Sequence, residues 1–151
     1  MKKTMGMLVL SGVVALVSTP AMAQFAKAED AIKYRESAMA LMGSHFGRMA
    51  PVAKKEIPYD KDSIKKNVEV LSVLATLPWV GYGAGTEGGE ATDEVWLDPE
   101  GFKKAQDEFQ GNFKKLTVAA DAGDFDAFRV AFGATGKSCK ACHDVYRKEK
   151  K

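Results

Sequence analysis

The chain has 151 residues, 46% of them hydrophobic, with 22 Lys and Arg against 20 Asp and Glu and only two cysteines. The hydrophobic share excludes a disordered chain, and two cysteines exclude a disulfide framework. The formal charge of +2 comes from the N-terminus: residues 1–23 hold two lysines and no acid, so the remaining 128 residues carry 20 basic and 20 acidic groups. That balance gives no electrostatic reason to expect nucleic acid or a membrane surface as partner.

Residues 1–23 read as a cleaved signal peptide. Lys2 and Lys3 form the basic start, Met5 to Val17 the apolar run, and Ala21-Met22-Ala23 a small-x-small cleavage site after the break at Thr19-Pro20. The apolar run is too short and too interrupted by Gly and Ser to span a bilayer. Residues 24–151 then make one domain with one core.

A first helix is expected from about Ala28 to Met49. Ile32, Met39 and Phe46 recur at heptad spacing, as do Arg35, Met42 and Met49, tracing the inner stripe of a bundle helix. Arg35 breaks the apolar pattern and needs an anionic partner or an exit to solvent. Pro51 helps end this helix. A second helix runs from Asp62 or Ser63 to Leu77. Its inner stripe is Ile64, Val68, Leu71 and Ala75, and Val70, Val73, Leu74 and Leu77 widen it, which predicts burial in the bundle or in a subunit contact.

Residues 78–98 read as a long loop with Gly81, Gly83, Gly85, Gly88 and Gly89, and with Trp79, Tyr82 and Trp96 able to cover the edge of a flat cofactor. Asp98-Pro99-Glu100 is a good start for a third helix, whose inner face is Phe102, Ala105, Phe109, Phe113, Leu116 and Ala120. Gly123 interrupts and Asp124 caps a fourth helix, with stripe residues Phe125, Phe128, Phe132, Thr135, Cys139, Cys142 and Tyr146. Gly133 and Gly136 are expected to clear space before the cysteines. No alternating strand pattern and no repeat are present. The reading is an all-α, antiparallel four-helix bundle, which can hold a cofactor between facing helices.

Chemistry concentrates at Cys139-Lys140-Ala141-Cys142-His143. C-x-x-C-H is the attachment signature of haem c: two thiols a helical turn apart reach the porphyrin vinyl groups, and the following imidazole binds iron from the proximal side. A thioredoxin-type pair normally opens a helix in a β-α unit, and a zinc site needs more ligands than the one other histidine, His45.

The whole exported chain resembles the cytochromes c prime, the class II c-type cytochromes. The likeness is carried by Gln24-Phe25-Ala26-Lys27, Tyr34-Arg35, His45-Phe46-Gly47-Arg48-Met49, Leu77-Pro78-Trp79, Gly85-Thr86-Glu87-Gly88-Gly89 and the C-terminal motif through Asp144. The resemblance implies a periplasmic four-helix bundle, often a homodimer through its first two helices, with one haem c held by Cys139 and Cys142. It implies a five-coordinate, high-spin iron with His143 as its proximal ligand. It places Arg35 and Glu36 at the haem propionates, where the family often has Gln in place of Glu36. It brings Glu90 to the same edge, Arg147 to the proximal pocket and Met39 to the distal one.

Met39 leaves two functions open. If it only packs over the iron, the apolar distal side admits NO or CO, and the protein binds or sequesters nitric oxide and can pass electrons. If its thioether ligates, the haem is six-coordinate and low-spin, and the protein is a simple electron carrier. A peroxidase-like enzyme would need a distal acid–base group. His45 lies one residue off the inner stripe and is expected at the surface, so the reading is a binding protein, not an enzyme.

Overall fold

A computed structural model describes residues 24–149; the leader expected over residues 1–23 lies outside the described residues. In chain order the elements are α1 Ala28–Gly47, α2 Ala50–Ala53, α3 Lys61–Leu74, a 3-10 turn Pro78–Tyr82, α4 Glu94–Leu97, α5 Pro99–Ala122 and α6 Phe125–Tyr146. The four long helices, α1, α3, α5 and α6, form the antiparallel bundle. Among the described residues the only sheet-like pairing is an isolated antiparallel bridge between Ala91 and Arg147.

Local chemistry sets the helix ends. Asp60, Asp98 and Asp124 each accept a hydrogen bond from a backbone N–H three residues on, at 2.6, 3.0 and 2.9 Å, satisfying donors that the first turn leaves unpaired. Asp60 therefore starts α3 slightly before the Asp62–Ser63 expected from the sequence. Gly123 closes α5 in the left-handed region at φ 70°, and α6 begins two residues later, which folds the two helices back as a hairpin. Pro51 does not end α1. It sits in the first turn of α2, where its missing N–H costs nothing. Residues 78–98 are also not a plain loop, since the 3-10 turn and α4 lie within them.

The core joins α3, α5 and α6. Ile64, Val68, Leu71 and Ala75 meet Phe109, Phe113, Leu116, Ala120, Phe128 and Ala131, with Met49 and Val52 closing one end. Each fully buried Leu or Phe here contributes about 1.5–3 kcal/mol. The apolar surplus on α3 divides: Leu74 is buried, whereas Val70 and Val73 face outward at 44% and 62% exposure. Burial within the bundle is thus excluded for those two valines.

The bundle closes unevenly. Phe46 of α1 stacks on Phe132 of α6 with ring centroids 4.2 Å apart. Towards the other end of these helices, Met39, Met42, Cys139 and Cys142 hold inner-stripe positions but are only half-buried. Their stripes face a cavity there, not each other.

Candidate functional site

The cavity lies between α1 and α6, with the 78–98 segment as its third wall and α5 beneath. Its larger lobe has a volume of about 320 Å³ and is lined by Arg35, Glu36, Met39, Ala40 and Gly43 from α1, by Cys142, His143 and Tyr146 from α6 with Arg147 just beyond it, and by Tyr82, Glu90, Ala91 and Phe102. A second lobe of about 140 Å³ continues past Met39, Gly43, Cys142 and His143 into an apolar end made by Met42, Phe46, Leu71, Phe109, Phe113 and Cys139. The eight site residues named from the sequence therefore converge on one space, polar at one end and apolar at the other.

The donor set on α6 is chemically specific. Burial raises the Cys139 thiol and pushes Cys142 up to about 11, with Cys139 adding to the latter, so both stay protonated at neutral pH. Neither is in a disulfide. Burial, then the Arg147 charge, hold the His143 imidazole below its ordinary value, with Asp144 and Glu90 pulling the other way. His143 is therefore neutral, the form that can offer a lone pair to a metal. Among the described residues no group of three or more His, Cys, Asp or Glu gathers to hold a metal ion.

Arg35 does not snorkel to solvent; it is 1% exposed. Its Nη1 donates to the carbonyls of Gly81 at 2.6 Å and Thr86 at 2.7 Å, and Nη2 donates to that of Gly88 at 2.7 Å. The guanidinium carbon also lies 4.8 Å from the Tyr82 ring centroid and 5.4 Å from that of Trp96. Main-chain oxygens and two π faces thus solvate the charge in place of water. Of five N–H groups, one on Nη2 and that on Nε have no partner among the described residues, and Arg35 lines the cavity.

Glu36 has a partner of its own. Its Oε1 accepts the Glu90 backbone N–H at 2.8 Å, tying the glycine-rich segment to α1. Gly89, at φ +59°, makes this possible: a Cβ there would overlap Glu36 Oε1 and stand 2.7 Å from Ile32 Cγ2. Gly89→Ala should therefore cost roughly 2 kcal/mol or more in urea unfolding, combining left-handed strain with overlap. Gly85, at φ +81° with nothing within 4 Å of its Cβ position, should cost only the conformational part when made alanine. Equal losses at the two sites would show that the Glu36 contact carries no weight.

Other expectations separate here. Tyr82 reaches the cavity, and burial holds its phenol up at about 12, Arg35 opposing. Trp79 instead turns into the core, donating to Ala75 O at 2.7 Å, and Trp96 lies behind Arg35. Gly133 clears no space, since it is exposed with nothing within 4 Å, while Gly136 faces Phe46 at 3.7 Å. His45 is half-buried, not at the surface as expected: Asn67 of α3 pairs with its ring Nδ1 at 2.7 Å and with its carbonyl at 2.8 Å. It bridges two helices and does not line the cavity. Thr86, 5% exposed, stands in the glycine-rich stretch without a local signal of its role, which is to hold main-chain carbonyls around Arg35.

A cavity walled by two protonated thiols, a neutral histidine and an arginine with two spare donors fits a haem c. The protein-family model for Cytochrome C' matches residues 30–147. The chain belongs to the cytochrome c′ family. The cytochrome c′ of Alcaligenes xylosoxydans xylosoxydans is 61% identical over 127 residues, covering 84% of this chain and 100% of that protein. The cytochrome c′ of Rubrivivax gelatinosus is 41% identical over 129 residues, covering 83% and 100%. Among solved structures, a nitric oxide complex of a leucine-to-alanine variant of cytochrome c prime from Alcaligenes xylosoxidans aligns with a TM-score of 0.82 at 61% identity, covering 84% of this chain and 100% of that one. A carbon-monoxide-bound leucine-to-glycine variant of the same cytochrome aligns with a TM-score of 0.82 at 60% identity, covering 83% and 100%. The cofactor of this cytochrome c′ is haem c, as in its family.

Proposed function

We propose that this cytochrome c′ binds nitric oxide and carbon monoxide at a haem c joined to Cys139 and Cys142, with His143 as the protein's ligand to iron. The observation that carries the reading is the contrast between the two helical walls. The α6 wall presents thiols and imidazole, while the α1 wall presents Met39, Ala40, Gly43 and, in the apolar lobe, Met42 and Phe46, with no hydrogen-bond donor among them. Haem held by these residues would supply an iron able to bind a diatomic gas and to exchange one electron. The chain's own part is to exclude water and withhold donors on the Met39 side, which favours NO and CO over O2. Arg35, with Glu36 and Glu90 at the same polar end, receives the propionates through its two remaining N–H groups. Arg147 keeps a cation beside His143.

The relatives' complexes with NO and CO support the ligand class. From Met39 through Gly43 to Phe46 the α1 residues lining the cavity carry no acid–base group, the carboxylate of Glu36 being tied to the Glu90 N–H at the polar end, which supports a binding role over turnover. The leader over residues 1–23 fits export, with haem attached in the periplasm, and no described helix is long and apolar enough to cross a membrane. Leu41, Val70 and Val73, all more than 40% exposed on α1 and α3, offer the apolar surface for a homodimer. The test is a set of optical spectra of the purified protein. A high-spin ferric spectrum, and ferrous spectra that change on adding NO or CO, are expected; a ferric Met–iron charge-transfer band with ferrous spectra indifferent to both gases would overturn the proposal.

A further inference from the structure

Glu36 lies on α1 and Arg147 just past the end of α6, yet a run of hydrogen bonds, from the Glu36 carboxylate and then main chain to main chain, connects the two segments. Glu36 Oε1 takes the Glu90 N–H at 2.8 Å, and the Glu90 carbonyl takes the Lys148 N–H at 2.8 Å. The next residue, Ala91, forms the antiparallel bridge with Arg147. Thr92 extends the seam, donating its N–H to Tyr146 O at 3.1 Å and its hydroxyl to Val145 O at 3.0 Å. Lys148 Nζ adds a bond to Gly89 O at 2.9 Å. Segment 89–92 is thus sewn to α1 on one side and to the tail leaving α6 on the other.

Arg147 needs this seam. It is the first residue beyond α6, with extended backbone at φ −123° and ψ 134°, and α6 itself holds it only through its N–H to His143 O at 3.2 Å. Helix ends of this kind fray unless something outside the helix pairs with them. The bridge is what fixes the direction in which Arg147 departs, and therefore its place on the cavity wall next to His143.

We infer that Glu36 is a positioning residue for the proximal side: by holding Glu90 it fixes the bridge that keeps Arg147 beside His143. The inference rests on the haem reading above. Its logic requires an acceptor at position 36, not a charge, so glutamine serves and alanine does not. A guanidinium held near iron favours the ferrous state, because the ferric state carries one more positive charge. Arg147 is exposed, so losing the bridge lets its side chain swing away from His143, and distance and screening weaken that effect.

The experiment uses the haem-loaded protein and compares Glu36→Ala with Glu36→Gln, each with Arg147 intact and with Arg147→Ala. Both Glu36 variants lose the carboxylate charge, so their difference isolates the hydrogen bond. Expected are a midpoint potential lower in Glu36→Ala than in Glu36→Gln, and amide exchange at Glu90 and Lys148 roughly tenfold faster in the alanine variant, as for one lost hydrogen bond. The potential difference should vanish in the Arg147→Ala background, the signature of two residues acting as one unit. Equal potentials in the two Glu36 variants, a difference that persists without Arg147, or an Arg147→Ala potential identical to the parent would each overturn the inference. Failure of the gas-binding reading shows separately, in spectra unmoved by NO and CO, and leaves these potentials and exchange rates readable.

Discussion

Arg35→Leu should destabilise the haem-loaded protein by about 3–5 kcal/mol, the largest loss expected from any single polar substitution in the chain. The reason is what remains behind. The carbonyls of Gly81, Thr86 and Gly88 are all turned towards the guanidinium, and Thr86 Oγ1, 3.3 Å from Nη1, donates to Gly83 O at 2.7 Å. Leucine fills part of the volume but leaves three acceptors facing apolar atoms, each costing about 1–3 kcal/mol if water cannot reach it. Arg35→Lys should recover only a fraction, because one ammonium cannot reproduce the planar fork that spans three oxygens. Urea unfolding of the holoprotein measures the loss, and the midpoint potential reads the propionate contact alongside it. A loss below about 1 kcal/mol would mean that the segment holds its shape without the arginine. An unmoved potential would count against the propionate role alone.

Met39→Ala should raise the CO affinity of the ferrous protein by about ten- to a hundredfold. A ligand on the α1 side has to displace the packed methionine, and a side chain of that size contributes about 1.5–3 kcal/mol when buried, with 1.4 kcal/mol to each tenfold in affinity. Met39 is half-buried and lines both lobes of the cavity, so the lower part of the range applies. Equilibrium CO titration gives the number directly, and an unchanged affinity would remove Met39 from the ligand's path. Met39→Leu separates packing from ligation. Leucine keeps the bulk and discards the thioether, so a packing residue leaves the ferric spectrum as it was. Loss of a Met–iron band on this change would instead identify a six-coordinate electron carrier.

The inner stripes read from spacing are the stripes of the bundle where helix meets helix. Ile64, Val68, Leu71 and Ala75 on α3, and Phe109, Phe113, Leu116 and Ala120 on α5, are all buried. The α1 stripe at Met39, Met42 and Phe46 is only half-buried, because periodicity reports which face is apolar and not what that face meets. A porphyrin selects the same residue types as a neighbouring helix does. His45 shows the converse limit. Its place off the stripe was legible, but the pairing with Asn67 was not, because a cross-helix contact depends on how α1 and α3 are staggered. Gly133 misled for a related reason: a glycine in a helix marks a missing side chain without saying which way the gap faces.

What the amino-acid order determined by itself was everything local. The aspartate caps at Asp98 and Asp124, the break at Gly123, the heptad stripes and the five residues of the C-x-x-C-H motif each act within a few positions along the chain, so they follow from residue type and spacing, whereas the choice of Asp60 over Asp62 or Ser63 to cap α3 did not. Arg35 was legible as an anomaly for the same reason, one charge in an apolar row. Its partners were decided only by the tertiary structure, because they are carbonyl oxygens more than forty residues away and a carbonyl looks the same on every residue. The seam from Glu36 through Glu90 to Arg147 is of the same kind: hydrogen bonds to main-chain groups of distant segments exist once the bundle has brought those segments together.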